Sequence, residues 1–313
     1  MSWKLLPGLN RYLPKNALGD YLYSAALFYK CHGRLPAKHK GFNDRLFHVK
    51  TGRAILDPLR SFISDKEFVK VYVTGILGEG FTVPTLKLLK TFEEAQAYTF
   101  PDRCCIKPTH MSGEVFLRTD GEPIDWQRIS GWFQASYYLQ SREANYKYLK
   151  PKVIVEPLIF GTTDLNEYKI FCNHGVPRLI QVDEHRFVGH RRTYYDLNWT
   201  EQSFRFGQPP RGGGVPKPRN FAGMLKAAAA LSQNFDFIRV DLYSDGDSIL
   251  VGELTNCPCS CTSRFQPLEA EEVMAEMVFG EPPVPLIEPD EIKPSLKSGS
   301  VKVAKATPPL AYH

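Results

Sequence analysis

Apolar residues recur along this chain with two periods, one helical and one strand-like, and the two alternate irregularly. The clearest helical stretch is Phe221, Met224, Leu225, Ala228 and Leu231, at i, i+3, i+4, i+7 and i+10, which predicts a helix over 221–233. A second helix is expected from Ser64-Asp65, either of which can cap it, with Phe68, Val69, Tyr72 and Val73 on one side and Gly75 to Gly80 ending it. A third spans 126–139, with Ile129, Trp132, Phe133 and Tyr137 on one side. The first sixty residues read as helical and basic, with Tyr21, Ala25, Leu27, Phe28 and Tyr29 as an apolar face.

Strand patterns fill much of the rest. Thr82 to Leu86 and Ala97 to Phe100 flank a further helical segment. Cys104 to Pro108 reads as a short buried strand, Glu114 to Arg118 as its partner, and Thr109 to Gly113 as the turn between them. Val153 to Phe160 is an almost unbroken apolar run holding one carboxylate, Glu156. Runs at 168–172 and 178–182 are joined by Asn173-His174-Gly175, and runs at 237–243 and 248–254 by Ser244-Asp245-Gly246-Asp247, both with hairpin chemistry. Tight hairpins among irregularly placed helices favour an α+β fold with antiparallel sheets over a doubly wound parallel sheet. There is no Rossmann glycine triplet and no P-loop.

Composition narrows this picture. With 43% hydrophobic, 23% charged and 12% aromatic residues in 313, the chain has a packed core and is neither disordered nor collagenous. An excess of five basic residues is too small and scattered to indicate a nucleic-acid groove, and fits a surface that meets anionic small molecules. Seven cysteines, an odd number in a large chain, argue for reduced thiols and a cytoplasmic setting. No apolar run reaches membrane-helix length, and the prolines within the first stretch argue against a signal peptide. From Glu281 onward, seven prolines in 33 residues predict an extended or disordered tail outside the core.

Three segments carry chemistry. In the hairpin segment 239–256, Arg239 and Asp241 point one way, and Glu253 and Thr255 do likewise, so one sheet face gathers an arginine, two carboxylates and a hydroxyl. Two converging carboxylates suit a magnesium ion completed by phosphate oxygens; an exposed face with a surface ion pair fits the same pattern. In Ile106-Lys107-Pro108-Thr109-His110-Met111-Ser112-Gly113, a lysine ends a buried strand before a turn whose backbone can face phosphates, although a snorkelling surface lysine has the same signature. Glu156 in its apolar run can accept from an exocyclic amine, or stand on an exposed edge.

The ordered set resembles the ATP-grasp ligases: Asp65-Lys66 at a helix start, the Ile-Lys-Pro strand and its turn, the Val-Glu strand, then Arg-Val-Asp and Gly-Glu-Leu-Thr. Phe42-Asn43-Asp44-Arg45-Leu46-Phe47, Ser64-Asp65-Lys66, Glu167 to Pro177 and Lys217-Pro218 resemble the TupA-like branch, named for teichuronopeptide biosynthesis, over most of 35–270. The resemblance implies two α+β lobes with antiparallel sheets clamping ATP, over 61–160 and 161–280, behind a short helical module over 1–60. It implies that Lys66 and Lys107 contact phosphates, that His110, Ser112 and Gly113 belong to a loop closing over ATP, and that Glu156 takes the adenine amine with Pro157, Leu158 and Ile159 lining the base. Asp164 or Glu167 would hold the ribose, and Lys169 is a further nucleotide contact. Asp241 and Glu253 would hold Mg2+, with Thr255 or Asn256 as third ligand, and Arg239 and Lys107 would face the transferred phosphoryl group.

The activity so implied is ATP-dependent coupling of a carboxylic acid, such as a uronic acid of a surface polysaccharide, to an amine or amino acid through an acylphosphate. An ATP-binding or scaffold protein without turnover is the competing reading, motivated by the glycine-poor loop and by Thr255 where many ATP-grasp enzymes have Asn. His190 to Tyr195, Arg211 to Gly214 and Arg264 are candidates for the acid substrate, Arg191 and Arg192 first among them, since arginine forks suit carboxylates. Cys257, Cys259 and Cys261 lack the paired spacing of structural zinc, so packed thiols are expected there, as at Cys104 and Cys105.

Overall fold

A computed structural model describes residues 10, 12–38, 40–163, 165–184, 189–209 and 214–281. The proline-rich tail, Asp164 and Arg211 to Gly213 lie outside the described residues. The fold is α+β, with one antiparallel sheet in each half of the chain.

Helix α1 (Ala17–His32) is capped by Asn16, whose side chain accepts from the Gly19 N–H, and α2 (Phe42–Thr51) follows. The inward face of α1 carries Tyr23, Leu27 and Phe28; Tyr21 and Tyr29, expected on that face, are exposed instead. A short helix, α3 (Pro58–Ser64), leads into α4 (Phe68–Leu77), which buries Val69 and Val73 as its spacing predicts.

The first sheet has the order β1-β4-β2-β3, built from β1 (Lys87–Leu89), β2 (Cys104–Pro108), β3 (Phe116–Arg118) and β4 (Val153–Glu156). β1 falls between the expected flanking runs, and the helix beside it is α5 (Phe92–Ala97). The helix expected over 126–139 is two: α6 (Trp126–Gln134) and α7 (Tyr137–Ser141). The break comes at Ala135 and Ser136, both extended, where Ser136 starts a new helix by accepting from the Leu139 N–H. Cys104, Ile106, Val153 and Val155 face the cluster under these helices, and the alternate residues Cys105, Lys107 and Glu156 face the other way.

The second sheet has the order β10-β9-β5-β6-β7, from β5 (Glu167–Asn173), β6 (Val176–Glu184), β7 (Arg191–Tyr195), β9 (Phe237–Ser244) and β10 (Ile249–Thr255). A two-residue β8 (Arg205–Phe206) pairs with β11 (Phe265–Gln266) apart from it. One face of the large sheet is apolar throughout: Tyr168, Ile170, Ile180, Val182, Ile238, Val240 and Leu242 pack beneath α4 and α8 (Phe221–Ser232). The opposite face is divided. At one end Phe171, Leu179 and Phe237 lie under α2 and α9 (Ala270–Phe279), each such burial contributing roughly 1.5–3 kcal/mol. At the other end the same face carries charge.

The N-terminal segment is tied to the first half of the chain by Arg142, which is fully buried. Its guanidinium donates to Asp20 at 3.0 Å, to the Pro14 carbonyl at 2.8 Å and to the Leu13 carbonyl at 3.1 Å, while the Tyr138 hydroxyl donates to Asp20 at 2.7 Å.

Candidate functional site

Alternation along β2 and β4 aims Lys107 and Glu156 at the space between the two sheets. Glu156 is 2% exposed and is held by two lysines, Lys107 at 2.6 Å and Lys70 at 2.5 Å. Burial opposes ionisation of Glu156, but the two lysines outweigh it and hold its pKa below the usual carboxylate value. Burial likewise opposes the charge on Lys107, and Glu156 more than offsets it, raising the lysine's pKa. Lys70, one helical turn beyond Lys66, also donates to the Val83 carbonyl at 2.6 Å and the Thr85 hydroxyl at 2.8 Å. Lys66 donates to the Met111 carbonyl, and burial lowers its pKa.

Across this space the charged end of the second sheet presents rows of cross-strand neighbours. One row runs Glu253, Asp241, Lys169, Gln181 and Tyr194 over five strands. Arg239 grips Asp241 with a fork, Nε to Oδ1 at 2.7 Å and Nη2 to Oδ2 at 2.6 Å, and also donates to Thr255 Oγ1 at 3.1 Å. Lys169 pairs with Asp241 at 3.0 Å and Glu167 at 2.5 Å. The Thr255 hydroxyl donates to Glu253 at 3.0 Å. Burial opposes ionisation of Glu253, yet Lys66 and Arg239 hold its pKa low.

Glu253 faces Asp241 because of one extra residue. Leu250 pairs with Tyr243 and Val251 with Leu242, after which the register slips so that Glu253, not Gly252, meets Asp241. Only glycine fits at 252, since a Cβ there would lie 2.6 Å from the Tyr243 ring. Without the bulge, strand alternation would turn Glu253 to the apolar face.

One cleft joins both halves: Lys66, Lys107, Leu158 and Ile159 line it from the first sheet's side, Glu167, Tyr243 and Glu253 from the second's. Exposed Gly113, at φ +81°, lies on its rim, with half-buried Ser112 before it. His110 is buried behind this turn, where burial and Lys66 lower its pKa. Half-buried Pro157 precedes Leu158. Asn256 points away from the carboxylates, accepting from Arg60 at 2.7 Å and donating to Ser64 at 3.1 Å, so Thr255 is the neighbour of Glu253. Arg192 is held by Asp183 at 2.6 Å, and Arg191 beside it is exposed. Arg264 lines a different groove, beside His32, Arg34 and Glu271, and donates to the Cys31 carbonyl at 2.5 Å. Buried Cys257 and Cys261 pack in the apolar cluster under α2 and α9.

Lys70 did not stand out in the sequence, because its partner Glu156 lies far along the chain. A second buried group also lacked a signal: Glu143, from the segment after α7, lies by Lys50 of α2 and Ser260, and Lys50 donates to Ser260 at 2.7 Å. Burial pushes the Glu143 pKa up to about 7, against the pull of Lys50.

Two buried or half-buried carboxylates with an adjacent hydroxyl are too few donors for a closed protein cage, and no group of three or more His, Cys, Asp or Glu side chains forms one among the described residues. The set suits a hard cation completed by phosphate oxygens and water, so Asp241, Glu253 and Thr255 fit Mg2+ bound together with a nucleotide.

No curated protein matches the chain. Among solved structures, D-alanine–D-alanine ligase from Bacillus anthracis is similar at TM-score 0.40 and 17% identity, covering 70% of this chain and 64% of that one. The corresponding ligase from Helicobacter pylori gives 0.38 and 15%, over 71% and 60%. D-cycloserine synthetase DcsG gives 0.36 and 15%, over 71% and 72%. This chain thus spans less than two thirds of the two D-alanine ligases. The sequence model of the TupA-like ATP-grasp family matches residues 50–279, from the end of α2 to the end of α9, and the chain belongs to that family.

Proposed function

We propose that this protein activates a carboxylic acid with ATP and couples it to an amine or amino acid, releasing ADP and phosphate. The observation behind the reading is the pair of facing charged surfaces, Lys66, Lys70, Lys107 and Glu156 on one side and Arg239, Lys169, Asp241 and Glu253 on the other. In this reading Lys66, Lys70 and Lys107 bind phosphate oxygens. Glu156, released by Lys107, accepts from the adenine amine, while Pro157, Leu158 and Ile159 line the base. Glu167 or Asp164 takes the ribose, and Arg239 and Lys169 oppose the burial that raises the pKa of Asp241. Asp241, Glu253 and Thr255 hold Mg2+, which when bound offsets the charge of the phosphates. Arg239 stabilises charge on the transferred phosphoryl group, and the turn at Ser112 and Gly113 keeps water from the acylphosphate. Arg191 and Arg192 are the proposed contacts for the acid, a uronic acid of a surface polysaccharide, and the cytoplasm is the proposed compartment.

The test combines MgATP, a panel of uronic and amino acids, and hydroxylamine to trap the acylphosphate. Hydroxamate formation matched by ADP release is expected, and Glu253→Gln is expected to abolish it with an unchanged circular dichroism spectrum. Tight ATP binding with no hydroxamate from any acid would replace the ligase reading by that of a nucleotide-binding protein.

A further inference from the structure

Helix α1 has a second apolar face that the fold leaves uncovered. Leu18, Tyr21, Leu22, Ala25 and Tyr29 fall at i, i+3, i+4, i+7 and i+11, a single stripe about 100° wide on a helix. Leu18 is 62% exposed, Tyr21 47%, Leu22 44% and Tyr29 57%, and Tyr12, ahead of the helix, is 81% exposed. Tyr148, also 81% exposed, is next to Lys147, whose ammonium donates to the Lys15 carbonyl at 2.7 Å and so brings it beside the start of α1. The opposite face of α1 is already buried through Tyr23, Leu27 and Phe28. Tyr21 touches the buried Phe47 ring edge-on at 5.4 Å and half-buried Ala25 packs at the margin of the same cluster, so it is Leu18, Leu22 and Tyr29 that the core leaves uncovered.

Charge around the stripe has one sign. Residues 10–56 hold nine lysines and arginines against two aspartates, whereas the whole chain has a net charge of +5, so the rest of the chain is slightly acidic. Both aspartates are buried and paired inside, Asp20 with Arg142 and Asp44 with Arg34. The described residues of this segment therefore show no exposed carboxylate, while Lys15, Lys30, Lys38, Lys40 and Arg53 are exposed. At the far end of α1 Glu271 is engaged by Arg34 and Glu272 by Lys40, and Glu269 is an exposed carboxylate on the same groove.

We infer that this face of α1 docks on an anionic phospholipid bilayer, lying on the surface without crossing it. Tyrosine and leucine on the outward side suit the boundary between headgroups and acyl chains, and the flanking lysines suit the negative surface. Four or five such side chains bind weakly by themselves, so the lysines supply the second signal, each contributing roughly fivefold in affinity. A second copy of the chain would set two cationic faces against each other across a self-complementary contact, which charge repulsion disfavours. No helix among the described residues is long and apolar enough to span a membrane, consistent with a surface mode. The inference stands apart from the ligase reading, because it uses no residue of the cleft.

Co-sedimentation of the full chain with vesicles tests it. Binding is expected to vesicles of phosphatidylcholine mixed with phosphatidylglycerol, not to phosphatidylcholine alone, and to fall as salt rises. Leu18→Glu with Leu22→Glu is expected to weaken binding roughly tenfold or more, with unchanged circular dichroism and elution volume. Lys15→Glu, a separate variant that leaves the apolar stripe intact, is expected to weaken it as well. Failure to bind the anionic vesicles, or equal binding by the double variant, would overturn the proposal. So would a wild-type dimer that the double variant dissociates, since a second copy would then cover the face.

Discussion

Glu253 stands directly opposite Asp241 across the β9–β10 ladder, and it does so only because the chain slips by one residue at Gly252. The slip depends on the bare backbone of Gly252 lying against the Tyr243 ring, whose hydroxyl donates to Glu167 at 2.9 Å. Gly252→Ala is expected to lower stability by about 1–3 kcal/mol in urea unfolding, through overpacking against that ring. In a Tyr243→Ala background the same Gly252→Ala change should cost much less, because the added methyl then meets no ring; an equal penalty in both backgrounds would count against the contact.

The pairing of Glu156 with Lys70 and Lys107 predicts a stability that depends on pH in one direction. Its folded pKa lies below the unfolded value of about 4.3, so its stabilisation is present above that value and is lost as pH falls through the folded one. Glu156→Gln is expected to cost on the order of 2 kcal/mol at neutral pH, because two partly buried lysines lose their counter-ion. Denaturant midpoints measured from neutral to acid pH should converge for the two proteins as acid is added.

Glu143 predicts the opposite slope. Its folded pKa of about 7 is above the unfolded value, so the folded state holds a proton that the unfolded state has lost. That contribution is full below about 4.3 and disappears as pH rises through about 7. Glu143→Gln keeps the shape without the ionisation and is expected to be more stable than wild type at pH 8 by roughly 3–4 kcal/mol, and nearly indistinguishable at pH 4. Parallel stability curves for the two chains would show that Glu143 does not titrate in this range.

Much of the site was legible because it is written in strand alternation. Lys107 two residues after Cys105, Asp241 two after Arg239 and Thr255 two after Glu253 must share faces, whatever surrounds them. The convergence of the last two pairs was less secure, since period two within each strand does not specify register across a bulge. Lys70, Glu143, Lys50 and Arg142 were not legible, because their partners are distant in the chain: Arg142 meets Asp20 more than a hundred residues upstream, and Lys50 meets Ser260 more than two hundred downstream. The break after Gln134 was missed because the apolar spacing continues across Ser136, and only the serine's capping bond reveals the new start. Tyr21 and Tyr29 were assigned inward because periodicity identifies an apolar stripe, not what covers it.

The cleft holds four of its cations already matched, Lys70 and Lys107 by Glu156, Lys169 and Arg239 by Asp241, with Lys66 on the Met111 carbonyl. An incoming polyanion therefore exchanges partners instead of filling a vacant positive well. Much of the attraction it gains from the lysines and the arginine is offset by the contacts those groups give up. The same exchange runs backwards when a less charged product leaves, since the carboxylates are on hand to take the cations back. In the proposed reaction such a site favours release over retention.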